Sequence, residues 1–260
     1  MGPEHMRRFE ELVHRTLAKY GSTVLVLIPC SKSKRVTPYT GKTDPPLPDV
    51  EGLRAELLKA IKATPELRRR TENAEGVLRE EAPVTRAMDL YTGRFYTRAR
   101  EALLDIHRGR YPFIHTLIVS ALYGLVRLGE GLRIYDLTMT DKLANGLRVH
   151  ELWEKRGLWR ALLRYIIDNR VRAVWSLLPN SREFPYHQVF RPLWGMLEAA
   201  GIRCAHVEFP GAGTSTGMMR AEWFVYVVKK NPLALIDPRK EVAFRASKHR
   251  AEYVSCRSAT

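Results

Sequence analysis

The sequence predicts an α/β fold, with a mostly parallel central sheet that is flanked by helices on both faces and carries a helical insertion. Short β-branched apolar runs recur along the chain, and segments with apolar residues at helical spacing lie between them. The sequence shows no internal repeat of longer period. Strands that alternate with helices need crossover connections, which place the strands parallel in one sheet. We therefore expect a single domain over residues 1–230, with the insertion at 50–85.

Four apolar runs predict the strands, because β-branched residues without polar alternation are typical of strands buried on both faces. These runs are Ser22–Ile28, His115–Ala121, Ala173–Leu178 and Ile202–Phe209. Between them, apolar residues at helical spacing predict helices. The helical segments are 6–19, 50–81, 94–108, 147–169, 189–200 and 216–229.

Four regions do not resolve into a single predicted helix or strand. Residues 147–169 form either one long helix or two helices that meet near Gly157, and Trp223–Val228 could also form a strand. Residues 36–49 contain four prolines and predict an irregular loop. Residues 231–260 are basic and weakly periodic, so they predict a C-terminal tail or arm.

The charge of the chain is its most unusual global property. The formal net charge is +15 and the sequence pI is about 10.0. Such a surplus is typical of proteins that bind polyanions, because cations that contact phosphates release condensed counterions. Surface charge of the thermophile kind, or simple solubility, is the alternative.

The cysteines and apolar runs indicate the cellular environment of the protein. Cys30, Cys204 and Cys256 are odd in number and lack paired spacing, which argues against a disulfide framework, and no Cys/His cluster indicates a metal. The longest apolar run, Thr23–Pro29, is too short to span a membrane. We expect a cytoplasmic protein without cofactor, metal or membrane partner. The oligomeric state is left open.

Candidate binding residues follow the predicted strands. In open α/β sheets, ligands bind at the carboxyl ends of the strands. The segments there are rich in small, hydroxyl, amide and basic residues, which suit a phosphate or sugar phosphate. The candidates from these segments are Ser31, Lys32, Lys34, Ser120, Tyr123, Gly124 and Asn180.

Cys30 is a candidate nucleophile, because Lys32 and Lys34 favour its thiolate. In the alternative interpretation, Cys30 is a small residue in a tight turn and both lysines are solvated. A second open case is the glycine-rich run 210–217, which could bind phosphate through backbone N–H groups or simply cap the following helix.

The segment 90–100 interleaves aromatic residues with arginines at the start of a predicted helix. Aromatic rings stack on bases and arginines contact phosphates, so this pattern indicates nucleic-acid binding. The alternative is that the rings belong to the core and the arginines to a solvated face. The candidates here are Tyr91, Thr92, Gly93, Arg94 and Arg100.

Several of these segments together resemble the peroxide-stress protein YaaA family and its sister group of small α/β proteins. The similar segments, in the order of the family, are Leu90–Tyr96, Ser120–Arg127, Ile134–Met139 and, more weakly, Gly217–Ala221 with Arg220. The first-strand loop, Pro29–Lys34, differs from the family's Ser-Pro-Ala-Lys type, and Leu128 stands where the family has proline. The resemblance implies an α/β core with a basic cleft, and binding of DNA more than RNA. The helix-hairpin-helix element of the family has no clear counterpart in this sequence.

Three functions follow as hypotheses. The first is a nucleic-acid-binding protein. The second is an enzyme that acts on a nucleotide, or on a base or glycosidic bond within DNA or tRNA, with Asp136 as general acid/base, Lys32 or Lys34 on phosphate, and Tyr91, Tyr123 or Tyr135 in the cleft. The third is a partner-binding module whose charge serves solubility only.

Overall fold

The computed structural model describes residues 23–73, 81–237, 242–246 and 248–259. Its centre is a six-stranded sheet with the strand order β10-β7-β6-β1-β3-β4. The strands of this sheet are β1 (Thr23–Pro29), β3 (Ile114–Ser120), β4 (Gly124–Arg127), β6 (Val171–Ser176), β7 (Arg203–Glu208) and β10 (Glu252–Ser255). Two short pairs lie outside it: β2 (Thr85–Arg86) with β5 (Gly131–Leu132), and β8 (Arg245–Ala246) with β9 (His249–Arg250).

The four inner strands are parallel, and both edge strands are antiparallel to their neighbours. Strand β1 lies in the middle, with Ile28 opposite Ile118 of β3 and Leu27 opposite Ser176 of β6. Its residues 24–28 are apolar and fully buried, as a strand covered on both faces requires. The α/β fold and the mostly parallel sheet are thus confirmed.

Eight helices surround the sheet in the described part of the chain. They are α1 (Val50–Lys62), α2 (Pro65–Asn73), α3 (Ala87–Leu90), α4 (Arg94–His107), α5 (Val149–Arg156), α6 (Leu158–Asp168), α7 (Arg191–Ala199) and α8 (Thr216–Lys230). Helices α4 and α8 pack on each other, while α1, α5, α6 and α7 form a second group. The chain leaves β1 toward β3 on one side and later crosses to β6 on the other, so right-handed crossovers place α4 and the pair α5 and α6 on opposite faces of the sheet.

Most local predictions agree with these elements. Residues 147–169 form two helices joined at Gly157, whose φ of 84° is the left-handed conformation that glycine adopts most easily. Residues 216–230 form a helix and not a strand. The predicted helix over 6–19 lies outside the described residues, and so do residues 74–80 of the predicted helical insertion.

The C-terminal segment contains an edge strand that the sequence analysis did not place. Strand β10 pairs antiparallel with β7, with Ser255 opposite Ala205. This pairing brings Cys256 beside Cys204, and the two form a disulfide. The expectation that the cysteines form no disulfide framework is wrong for this pair, because a separation of 52 residues carries no local signal and only the strand pairing brings the two thiols together. Cys30 is the free cysteine.

A buried polar chain runs from the middle of the sheet to the disulfide. His187 Nε2 lies 2.9 Å from the Cys256 carbonyl oxygen and donates to it, so His187 Nδ1 accepts from Ser176 Oγ at 3.0 Å. His206 Nδ1 donates to the same Ser176 oxygen at 3.3 Å. Burial lowers the pKa of His187 to about 4 and that of His206 to about 2, so both rings are neutral at pH 7.

We expect the disulfide to stabilise the fold by restricting the unfolded chain. Replacing Cys204 and Cys256 together by serine should lower the free energy of unfolding by about 2–4 kcal/mol. Urea unfolding without reductant measures this loss, and Cys30→Ser is the control that keeps the disulfide. Equal unfolding midpoints for the wild type with and without dithiothreitol would contradict the prediction.

The two buried histidines should make the fold sensitive to acid. Their folded-state pKa values lie below the ordinary value of 6.5, so below that pH the unfolded chain binds protons that the folded chain does not. Between pH 6.5 and about 4, the free energy of unfolding should fall by up to about 1.4 kcal/mol per pH unit for each histidine.

Histidine ring resonances measured by NMR across this range provide the check. Two rings should remain neutral at pH 5 in the folded protein. The prediction fails if every histidine ring of the folded protein titrates near pH 6.5.

Candidate functional site

The carboxyl ends of β1, β3, β6 and β7 lie together at one end of the strands, and we call this border of the sheet the strand-end edge. The segments that follow these strands there are 30–35, 121–123, 177–182 and 209–214. Their meeting follows from the parallel registers of the four strands. The strand-end edge therefore collects most of the residues that the sequence analysis selected.

The loop after β1 is attached to the segment before α4. The Arg35 N–H donates to the Leu90 carbonyl at 2.9 Å, and the Thr92 N–H donates to the Ser33 carbonyl at 3.0 Å. Gly93 lies so close to this loop that an added Cβ would collide with Ser31 Oγ. Two candidate segments that are about 60 residues apart in the sequence thus form one surface, with Lys34 bridged to Tyr91.

Buried tyrosines surround Cys30, and we call them the tyrosine cluster: Tyr91, Tyr96, Tyr135 and Tyr186. Tyr135 Oη lies 2.8 Å from Ser120 Oγ and 3.1 Å from Tyr91 Oη. Tyr186 Oη lies 3.2 Å from Cys30 Sγ, and Tyr96 Oη donates to the Pro29 carbonyl at 2.7 Å. These contacts hold the end of β1 and the Cys30 side chain in a fixed position.

Burial raises the pKa of all four phenols well above its ordinary value, and the neighbouring Cys30 adds to the shift. The hydroxyls therefore remain protonated at neutral pH. Tyr96 and Tyr186 were not among the predicted site residues. Tyr96 stands in the aromatic segment that the sequence analysis had selected, but Tyr186 offered no local signal, because only the fold brings it to the end of β1.

Lys34 and Asp136 lie beside the tyrosine cluster. The Lys34 ammonium is 4.2 Å from the centroid of the Tyr135 ring, a cation–π distance. Burial lowers the pKa of Lys34, while the nearby Cys30 and Asp136 oppose that shift. The Asp136 side chain is half exposed, and its carboxylate pairs with Arg70 Nε at 3.3 Å. The predicted acid/base residue is therefore at the strand-end edge, and Arg70 is a partner that the sequence analysis did not name.

Tyr123 and Gly124 shape the turn between β3 and β4. The Tyr123 hydroxyl exchanges hydrogen bonds with the backbone of Arg133, at 2.9 Å to the carbonyl and 3.0 Å from the N–H. Burial raises the pKa of Tyr123 to about 12. Gly124 has a φ of 66° and faces Leu158. Both residues hold the turn in place by these contacts.

The remaining candidates divide by exposure. Lys32 and Arg94 are exposed at the strand-end edge, whereas exposed Arg100 lies further along α4 and pairs with Asp89 at 2.9 Å. Asn180 follows β6 and donates to the Ala259 carbonyl. Arg220 is buried on α8, with its Nε 3.2 Å from the Val207 carbonyl oxygen.

Two findings concern metals and membranes. Among the described residues, no group of three or more His, Cys, Asp or Glu side chains is arranged to hold a metal ion. No helix in the same part of the chain is both long and apolar enough to cross a bilayer.

The fold and the site define an α/β protein whose polar site lies at the carboxyl ends of its central strands. A family model described as peroxide stress protein YaaA matches residues 24–180, which is more than half of the chain. The protein therefore belongs to the peroxide stress protein YaaA family, and the resemblance seen in the sequence is confirmed. A comparison with curated proteins found no match.

Proposed function

We propose that this protein binds nucleic acid, DNA in preference to RNA, along the strand-end edge. The observation that carries the proposal is a set of exposed cations around this edge, which we call the rim cations: Lys32, Arg35, Arg94 and Arg182. Within the described residues, none of them has an ion-pair partner. Free cations of this kind bind phosphates and release counterions.

Their lack of partners matters because many other cations of the chain are already neutralised. Arg86 and Arg100 share Asp89, and Arg54 pairs with the buried Glu130. A paired arginine gains little from a phosphate, since it must first give up its carboxylate. The net charge of +15 adds support, and so does the resemblance of the site segments to the peroxide stress protein YaaA family, which implies DNA binding.

The salt dependence of binding tests the proposal. The variant with Lys32→Ala and Arg94→Ala should bind duplex DNA more weakly, because two cations that neutralise phosphates are gone. Its slope of log affinity against log salt should be shallower by about 0.9 for each phosphate that the variant no longer neutralises. Fluorescence anisotropy with a labelled duplex over a series of salt concentrations measures both quantities.

A matched control removes the same charge from the opposite end of the sheet. Arg108 follows α4 and Arg172 lies near the start of β6, and both are exposed without an ion-pair partner among the described residues. The variant with Arg108→Ala and Arg172→Ala should keep the wild-type slope. An equal change of slope in both variants would mean that net charge alone attracts the DNA. The proposal that the strand-end edge is the binding surface would then be wrong.

A second candidate function is an enzyme that removes a base from DNA or acts on a nucleotide. The observation that favours it is the amine of Lys34, which lies beside Cys30 and Asp136 and whose pKa is lowered by burial, against the opposing effect of these two groups. The unprotonated form of an amine is a nucleophile, and a lowered pKa increases the share of that form. It can attack C1′ of a deoxyribose as the bond from C1′ to the base breaks, and the departing base takes up one proton of the amine. The bond from C1′ to the ring oxygen then opens, this oxygen takes up the second proton, and the sugar remains attached as an imine.

Borohydride trapping tests this candidate. Wild-type protein incubated with peroxide-oxidised duplex DNA and sodium borohydride should give a covalent protein–DNA adduct on a denaturing gel. Lys34→Arg should remove the adduct, because a guanidinium is not nucleophilic at neutral pH, while Lys32→Arg in the same loop should retain it. An adduct that persists in Lys34→Arg would exclude Lys34 as the nucleophile.

A further inference from the structure

A cavity of about 430 Å³ opens at the strand-end edge, between the ends of β1 and β6. Pro29 borders it at the end of β1, and Leu177, Pro179 and Asn180 border it after β6. The chain runs from β1 to β3 on one side and crosses later to β6 on the other, so this crevice is the point where the strand order reverses. Ligands of open α/β sheets bind at such points.

Arg220 is the charged residue in the wall of this cavity. It is 8% exposed, and its Nε bonds to the Val207 carbonyl, which is its polar partner among the described residues. The carboxylate of Glu208 raises the pKa of Arg220, but Glu208 makes no ion pair with Arg220 in the described chain. A guanidinium buried with a single backbone partner is costly, and an anionic ligand would compensate for the cost.

The first turn of α8 points to the same kind of ligand. Thr216, Gly217 and Arg220 lie on one face of this 15-residue helix, since residues three and four apart are neighbours, and all three border the cavity. Ser215, at the N-cap, makes no capping bond through its side chain. The positive end of the helix dipole therefore lies beside the buried guanidinium.

Aromatic and apolar residues also line the cavity. They include Phe184, which is 50% exposed, and the buried Phe95 and Leu177. Asn180 lines the cavity as well, and its buried side-chain oxygen accepts no hydrogen bond within the described chain. A flat ring with a hydrogen-bond donor on its edge would stack on Phe184 and satisfy such an acceptor.

We propose that this cavity binds one nucleoside monophosphate unit, with the phosphate at Arg220 and the first turn of α8, and the base against Phe184. The unit is either a free nucleotide or an unpaired nucleotide within a strand. The inference deepens the proposed function and rests on it for the strand-borne case, in which the rim cations hold the flanking phosphates.

Calorimetric titration of the full chain tests the cavity. The probes are the four common nucleoside 5′-monophosphates, adenosine and inorganic phosphate. At least one monophosphate should bind about tenfold or more tightly than adenosine and phosphate, because each of these lacks one half of the ligand. Equal binding of phosphate and monophosphate would overturn the base contact, and no binding by any monophosphate would overturn the free-nucleotide case.

A blocking variant locates the site without removing buried residues. An added Cβ at Gly217 has no neighbour within 4 Å, so Gly217→Leu should fill the cavity and leave the helix folded. It should lower monophosphate affinity about tenfold or more. Gly195 lies in α7 with equally free space, and Gly195→Leu should bind like the wild type. Wild-type affinity in Gly217→Leu would overturn the proposal.

Two DNA probes separate this inference from the proposed function. A duplex with a single-nucleotide bulge should bind more tightly than the fully paired duplex, and Gly217→Leu should remove that difference. If both duplexes bind equally and no monophosphate binds, the nucleic-acid function stands and the cavity inference falls. If monophosphates bind through Gly217 but neither duplex binds, the proposed function falls and the cavity is a free-nucleotide site.

Discussion

The pairing of β1 with β3 on one side and β6 on the other is the constraint on which the rest of the structure depends. Strand β1 has no polar side chain between Val24 and Ile28, so its burial requires partners in both directions and helices on both faces. The two registers then fix where each strand stops. The Cys30 N–H donates to the Val119 carbonyl and the Leu177 N–H to the Leu27 carbonyl, both at 2.9 Å. The segments that follow β1, β3 and β6 at the strand-end edge take their positions from these pairings.

The strand-end edge also holds two environments with different chemistry. Around Cys30, Lys34 and the tyrosine cluster provide an amine and protonated hydroxyls. Around the cavity, Arg220 and the first turn of α8 lie together with Phe95 and Phe184. Pro29 belongs to both, because its carbonyl accepts from Tyr96 and the residue borders the cavity. The family match ends at residue 180, so it leaves out Tyr186 of the first environment and Phe184, Arg220 and α8 of the second.

Sequence reasoning succeeded where the signal was local. Apolar runs predicted the inner strands, because a strand buried on both faces needs continuous apolar residues, and the rule for strand ends then selected Lys34 and Ser120. It could not find contacts that depend on distant pairing. Tyr186 reaches Cys30 across 156 positions, and Cys256 reaches Cys204 only after β10 joins the sheet. It named Arg220 from a motif but gave no sign that the fold buries it.

The edge strand β10 supports the segment that follows β6 and borders the cavity. This role explains why the C-terminal segment, which has no clear periodicity, is part of the sheet. The disulfide fixes Cys256, whose carbonyl accepts from His187, and Asn180 donates to the carbonyl of Ala259 in the same terminal segment. Both donors lie in the segment that follows β6 and borders the cavity. A buried cation such as Arg220 weakens a fold, so the wall beside it must be held by bonds that do not depend on a ligand. The covalent link between β7 and β10 and the neutral histidine chain beneath it supply such bonds.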